Sequence, residues 1–404
     1  MKKLMVLTLG TGKGVENGIA KSITVNNPDR IVFIATPQSQ EMLEKIADAL
    51  ERLYHRALPP FDIKPLSQEM VVDYAYRAAR EAIDAALQEG YALEEIVLDF
   101  TSGTKAMSVG AAVAALLAEC YNMVYIGGYE RDAQGRVITG TEIVMSFTPN
   151  RIFGDYKKQL ALRMFDAYQF DAGLSILQEA RRRGERDDLT QLDVLFRAYE
   201  RWDKFDHVAA LRHFEHPDLP RDLRKRIGGN RGFVSRIVNA ASESPAIAPE
   251  LLADLLANAR RRMDEGKDDD AVARLYRLTE MIAQYRLQQK GVNASDVVVS
   301  ALPDAIRPVY DALRGDSGKI KLGLTQAFRL LGELGDEAFL PQYARYEALR
   351  GLLKQRNDSI LAHGIRPVGR EIPRLLIERL DPLLRETVPQ IHRLLDDATM
   401  IKLT

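Results

Sequence analysis

The sequence predicts a parallel α/β sheet domain followed by an all-α remainder. Short apolar, β-rich runs alternate with helical stretches up to about residue 150. After Pro149 the composition turns to Arg, Leu, Ala and Asp, and helical periodicity takes over. Two Gly/Thr turns, 10–14 and 101–105, each close a strand pattern, as ligand turns do at the carboxyl ends of parallel strands.

Strands are predicted at 4–9, 30–35, 61–65, 96–100, 123–126 and 142–146, with helices at 39–56, 69–88 and 104–121. The strand runs lack polar alternation, which suits strands covered on both faces. Segment 129–140, with Asp132, Gly135 and Gly140, reads as an edge hairpin. Gly228-Gly229-Asn230-Arg231-Gly232 and 242–249 are the clearest breaks in the helical part. They suggest a sheet domain over about 1–150, a helical connector over 151–255 and a terminal helical domain over 256–404. Phe170-Asp171 and Phe205-Asp206 stand 35 residues apart in similar surroundings, which reads as two similar helical hairpins rather than a solenoid.

With 404 residues the chain has room for two or three cores. A net charge of −1 supplies no global field for nucleic acid, so any such contact must be local. The single cysteine, Cys120, excludes a disulfide framework and a thiol zinc cluster and reads as a buried helix residue. The apolar run at the N-terminus is short and passes into a Gly-rich turn, so it reads as a strand and not a signal peptide. No stretch is long enough to span a bilayer, and the expected compartment is the cytoplasm.

The turn Thr101-Ser102-Gly103-Thr104-Lys105 joins a strand to an Ala-rich helix. Unpaired N–H groups at such a helix start, the helix dipole and Lys105 suit an anion such as phosphate. Gly10-Thr11-Gly12-Lys13-Gly14 offers a second such turn, where glycines allow close backbone approach. The hydroxyls of Thr11, Ser102 and Thr104 are candidate phosphate donors. Neither turn matches the nucleotide-triphosphate loop or the dinucleotide fingerprint. The plainer alternative is that Ser102 or Thr104 merely caps a helix.

Toward the other end, Tyr346, Leu349, Leu353, Arg356, Ile360 and His363 recur at three- and four-residue spacing, one stripe of an amphipathic helix. Arg356 and His363 stand where that pattern expects apolar residues, about 10 Å apart by helix rise. Histidine moves protons near neutral pH, and arginine stabilises charge growing on phosphoryl oxygens. That combination suits metal-free RNA cleavage by a 2′-hydroxyl. A helix-end ion pair or cap is the alternative.

The pattern Asp99-x-Thr101-x-Gly103-Thr104-Lys105-x-Met107 resembles the signature of the CRISPR-associated Rossmann-like (CARF) domains, with Gly10-Thr11-Gly12 in the place of that family's first ligand loop. The resemblance covers about the first 150 residues. It implies a homodimer whose paired sheets bind a cyclic oligoadenylate through Gly10, Thr11, Gly12, Thr101, Ser102, Gly103, Thr104 and Lys105. Arg356-Asn357 with His363 resembles the HEPN ribonuclease motif, and 268–281 resembles an early helix of CARF–HEPN effectors. The resemblance implies a type III CRISPR endoribonuclease, allosterically activated by the ring nucleotide. It cuts single-stranded RNA with Arg356, Asn357 and His363 and needs no metal or cofactor. Two other readings remain open: a nucleotide-binding module whose helical part only dimerises or recruits a partner, and a ring nuclease that degrades its own ligand.

The remaining candidates have plainer readings. Asp268-Asp269-Asp270 complements a helix dipole. His207, His213 and His216 lack zinc-like spacing. The basic runs 181–183, 224–226 and 260–262 read as solvated helix faces, and Trp202 reads as core.

Overall fold

The computed structural model describes residues 2–336 apart from 121, 134, 136, 185, 244–245 and 316–317, then 346, 349, 351, 361 and 364–404. Two compact units result, Met1–Tyr156 and Lys157–Thr404.

In the first unit the strands β1 (Leu4–Leu9), β2 (Arg30–Ala35), β3 (Phe61–Pro65), β4 (Ile96–Asp99), β5 (Asn122–Gly128) and β6 (Glu142–Phe147) form one sheet in the order β3-β2-β1-β4-β5-β6. The first five are parallel, and β6 pairs antiparallel with β5. Every residue of β1 is buried because the strand is central and covered on both faces. Alternate side chains sort to opposite faces. Leu4 and Val6 pack with alanines of α3 (Val72–Gln88) and α4 (Lys105–Leu117). Met5, Leu7 and Leu9 pack with α1 (Val15–Asn26) and α2 (Met42–Tyr54). The result is a three-layer α/β/α domain. The segment predicted as an edge hairpin lies between β5 and β6 and carries a bridge from Arg131 to Val137.

Helix α1 is absent from the predicted elements. Its buried face includes Asn17, Ser22 and Asn26 beside Ile19, Ala20 and Ile23, so the apolar repeat that marks a helix is interrupted. The other helices are shorter than predicted: α3 begins at Val72, and α4 ends at Leu117. Cys120 therefore lies beyond the helix. It is still buried, its thiol donates to the Ile96 carbonyl at 3.4 Å, and burial pushes its pKa up to about 11. Gly110 brings α3 against α4, because a Cβ there would stand 2.6 Å from the Val72 carbonyl oxygen and 2.7 Å from the Tyr76 nitrogen.

The second unit is helical. One apolar cluster runs from Ala161 to Met400. The boundary predicted near 255 falls inside the helix Pro249–Asp264. The break predicted at Gly228–Gly232 falls at Ile227, between the helices Arg221–Arg226 and Gly228–Glu243, and the glycines themselves open the second helix. Tertiary contacts override the poor helix propensity of glycine here. Phe233, Val234 and Ile237 are buried. The Asn230 side chain accepts from the Tyr199 hydroxyl at 2.7 Å and donates to the Thr399 carbonyl at 2.8 Å.

Three helical hairpins share one turn. Tyr168, Phe205 and Gly266 each adopt left-handed backbone, with φ of 61°, 63° and 73°. In each turn the next N–H returns to a carbonyl five residues back, Gln169 to Met164, Asp206 to Arg201 and Lys267 to Arg262. The structural repeat of the first two is thus Tyr168 to Phe205, 37 residues, and not the 35 suggested by the Phe-Asp pairs. Identity at Phe-Asp drew the sequence register two residues away from the turns themselves.

One cluster of buried charges lies beside the second of these turns. Asp254, fully buried, accepts from the Trp202 indole at 3.0 Å and lies 2.8 Å from His207 Nε2. Asp203 accepts from Arg261 at 2.9 Å and from Arg262 at 2.6 Å. Arg261 and Arg262 are buried, so the run 260–262 is not a solvated face. Trp202 is core, as read from the sequence. Asp268, Asp269 and Asp270 open the helix Asp268–Gln289. Among the described residues no helix is long and apolar enough to cross a membrane.

Replacing Gly110 with alanine forces α3 and α4 apart. Over-packing of this kind costs about 1–3 kcal/mol. Thermal unfolding of Gly110→Ala should show the first unit melting several degrees earlier; an unchanged melting profile would contradict the close approach.

Candidate functional site

The strand order reverses between β1 and β4, since the chain moves outward from β1 to β2 and β3 and then returns to β4 on the other side. Such a switch point opens a crevice beyond the carboxyl ends of the strands. The two turns singled out in the sequence, 10–14 and 101–105, leave these two adjacent strands.

The turns touch through their backbones. A Cβ on Gly10 would lie 2.5 Å from the Gly103 nitrogen and 2.6 Å from its Cα, so no larger residue fits without moving backbone. The Gly10 N–H donates to Ser102 Oγ at 2.8 Å, and the Thr8 hydroxyl donates to the Ser102 carbonyl at 2.5 Å. Gly103 takes φ of 102°, a conformation natural to glycine. Gly14, with φ of 84°, turns the other loop into α1.

Thr104 caps α4. Its oxygen accepts the Met107 N–H at 3.2 Å while its hydroxyl donates to the Glu69 carbonyl. The first backbone bond of the helix runs from the Ser108 N–H to the Thr104 carbonyl. The N–H groups of Lys105 and Ala106 precede it and have no intrahelical acceptor. Lys105 is exposed at the helix start, and Thr11, Gly12 and Lys13 are exposed on the neighbouring turn. Free amides, a helix N-terminus and lysine at one crevice are suited to holding anions.

The hydroxyls divide differently from the sequence reading. Ser102 is buried and its oxygen receives Gly10, so it clamps the turns together. Thr101 and Thr104 spend their protons on Asp99 and Glu69. Short side chains beside a tight turn find backbone or carboxylate partners first. Thr11 keeps the exposed hydroxyl. The sequence reading missed Thr8 and Ser22, which brace the turns from inside the domain. Buried hydroxyls in a strand and a helix leave no periodic signal.

Asp99, at the end of β4, is 1% exposed. Burial pushes its carboxyl above the usual carboxylate range, opposed by hydrogen bonds from Ser22 and Thr101.

Arg356, Asn357 and His363 lie outside the described residues. Of their predicted stripe, Tyr346 and Leu349 are described and buried, and Tyr346 stacks on Phe328 with ring centroids 4.1 Å apart. Leu361, off the stripe, is 46% exposed.

Comparison with known proteins bears on both units. A Csm6 6H domain model matches residues 153–228, and a Csm6 HEPN domain model matches 241–380. With the Rossmann-like sheet ahead of them, these matches define a CRISPR effector that joins a CARF-type domain to HEPN helices, and the chain belongs to this CARF–HEPN family. Within it the likeness is to Csm6. The CRISPR system endoribonuclease Csm6 of Thermus thermophilus is 24% identical, over 89% of this chain and 80% of its own length. A solved structure of Enterococcus italicus Csm6 bound to cyclic hexa-2′-fluoro-hexa-dAMP matches with a TM-score of 0.59 at 13% identity, covering 98% of each chain. That likeness is one of fold.

Adding a single methyl group at Gly10 tests the contact between the turns. Gly10→Ala should cost about 1–3 kcal/mol by over-packing and should move amide resonances of both turns. Shifts confined to 8–12, with 101–105 unchanged, would show that the turns do not meet.

Proposed function

We propose that this protein is an endoribonuclease of type III CRISPR antiviral defence, switched on by a cyclic oligoadenylate. The observation that carries the reading is the pair of anion-suited turns meeting at the β1/β4 switch point, with Lys105 and the open N-terminus of α4 facing solvent. A ring of phosphates needs repeated anion sites, and a two-fold dimer doubles each turn. Val109, Val113 and Leu117 lie one turn apart along α4 and are 51%, 38% and 49% exposed. An apolar stripe on a helix that begins at the ligand turn favours burial against a second copy. The HEPN match and the kinship with an endoribonuclease support the cutting half of the reading.

In the cleavage step the RNA 2′-hydroxyl attacks its neighbouring phosphate. His363 moves the protons to and from the reacting oxygens, and Arg356 stabilises the negative charge that gathers on the phosphoryl group. Asn357 orients His363 or the RNA. Two copies of the motif supply two of each group around one scissile phosphate. No metal takes part. The ring acts only because it binds the competent arrangement more tightly than the resting one.

Labelled single-stranded RNA incubated in EDTA should be cut on addition of a cyclic adenylate, leaving 2′,3′-cyclic phosphate ends. His363→Ala should lower the rate by about 100-fold or more, the usual worth of a general acid–base group, with ring affinity unchanged. Lys105→Ala should weaken ring binding while cutting survives at saturating ring. Undiminished cleavage by purified His363→Ala protein would overturn the assignment of the nuclease site.

A further inference from the structure

Asp99 is a buried carboxylate that the proposed chemistry does not use. It sits at the end of a strand that is otherwise apolar, Ile96-Val97-Leu98, and is itself 1% exposed. An unpaired carboxylate there would be costly, and an apolar residue would fill the strand position without that cost. Its bonds show what it does. Oδ2 accepts the Ser22 hydroxyl of α1 at 2.6 Å. Oδ1 accepts both the backbone N–H and the hydroxyl of Thr101, at 2.9 and 2.5 Å. Thr101 Oγ1 in turn accepts the Ile126 N–H of β5 at 2.8 Å.

One side chain therefore ties together α1, the turn after β4, and β5. α1 is the helix into which the first ligand turn runs, and the second ligand turn begins at Thr101. The relay joins the start of the second turn to α1, the helix that follows the first, and Asp99 is buried. We propose that Asp99 is a positioning residue for the anion site: it fixes the 101–103 turn against α1 and so sets the affinity for ring phosphates without touching them. This inference rests on the reading of the two turns as the cyclic oligoadenylate site.

The geometry separates positioning from a purely structural role. Asparagine has the shape of aspartate. Its amide nitrogen can donate to Ser22 Oγ, whose own proton turns away, and its oxygen keeps both Thr101 donors. Asp99→Asn thus preserves the relay, and Asp99→Ala removes it.

The test titrates the full chain with cyclic tetra- and hexa-adenylate by calorimetry and measures RNA cleavage at saturating ring. Asp99→Ala should raise the dissociation constant at least tenfold and leave the saturated cleavage rate unchanged. Asp99→Asn should bind within about twofold of the natural chain. Natural affinity in a folded Asp99→Ala protein would overturn the proposal, as would an Asp99→Asn protein that binds as weakly as Asp99→Ala. Should Asp99→Ala not fold, Ser22→Ala removes one arm of the relay. It should weaken binding at least threefold, and natural affinity in that variant would overturn the proposal. Failure of the natural chain to bind either ring would instead overturn the functional reading beneath it.

Discussion

The approach of Gly10 to Gly103 is the constraint on which the proposed anion site depends. Adjacent parallel strands diverge where the chain leaves the sheet, and their turns ordinarily separate. Here two glycines remove the side chains that would hold them apart, and Ser102 closes the contact by accepting the Gly10 N–H. The exposed residues of both turns, Thr11, Gly12, Lys13, Gly103 and Lys105, thereby lie together at the ends of β1 and β4. Thr8, Ser22, Asp99 and Thr101 brace the two turns from within through hydrogen bonds. Each brace has its partner, as a buried polar network requires.

The helical unit solves a different problem with similar means. Its hairpins repeat one left-handed turn at Tyr168, Phe205 and Gly266, and aromatic side chains at the first two accept a conformation that glycine takes freely. Beside the second turn, Asp203 and Asp254 gather Arg261, Arg262, Trp202 and His207 into a buried ionic knot. Removing one partner from such a knot strands the others and leaves a buried charge uncompensated, which is costly.

Much of the sheet domain was legible in the sequence. Apolar runs marked the central strands β1, β2 and β4, because strands buried on both faces leave little room for polar residues, whereas β3 (Phe-Asp-Ile-Lys-Pro) and β6 lie at the sheet edges, carry polar residues and are partly exposed. Helix α1 escaped notice because its inner face carries Asn17, Ser22 and Asn26, the last turned back along the helix and Ser22 committed to Asp99. The glycines at 228–232 suggested a break, yet Asn230 and the aromatic core hold them in a helix. Local propensity loses there to contacts with residues far along the chain. The two turns at the strand ends are marked by their Gly, Thr and Lys residues, but the partners of their hydroxyls are not. Which oxygen faces inward depends on partners such as Glu69 and Asp99, and spacing alone does not encode that choice.

Amide hydrogen exchange across the sheet domain, with and without saturating cyclic oligoadenylate, tests the central claim most directly. Phosphates held by the paired turns should protect the amides of 10–14 and 103–107 together, two segments far apart in sequence that meet where Gly10 contacts Ser102 and Gly103. Protection of one segment alone, or of neither, would contradict a crevice built on that contact.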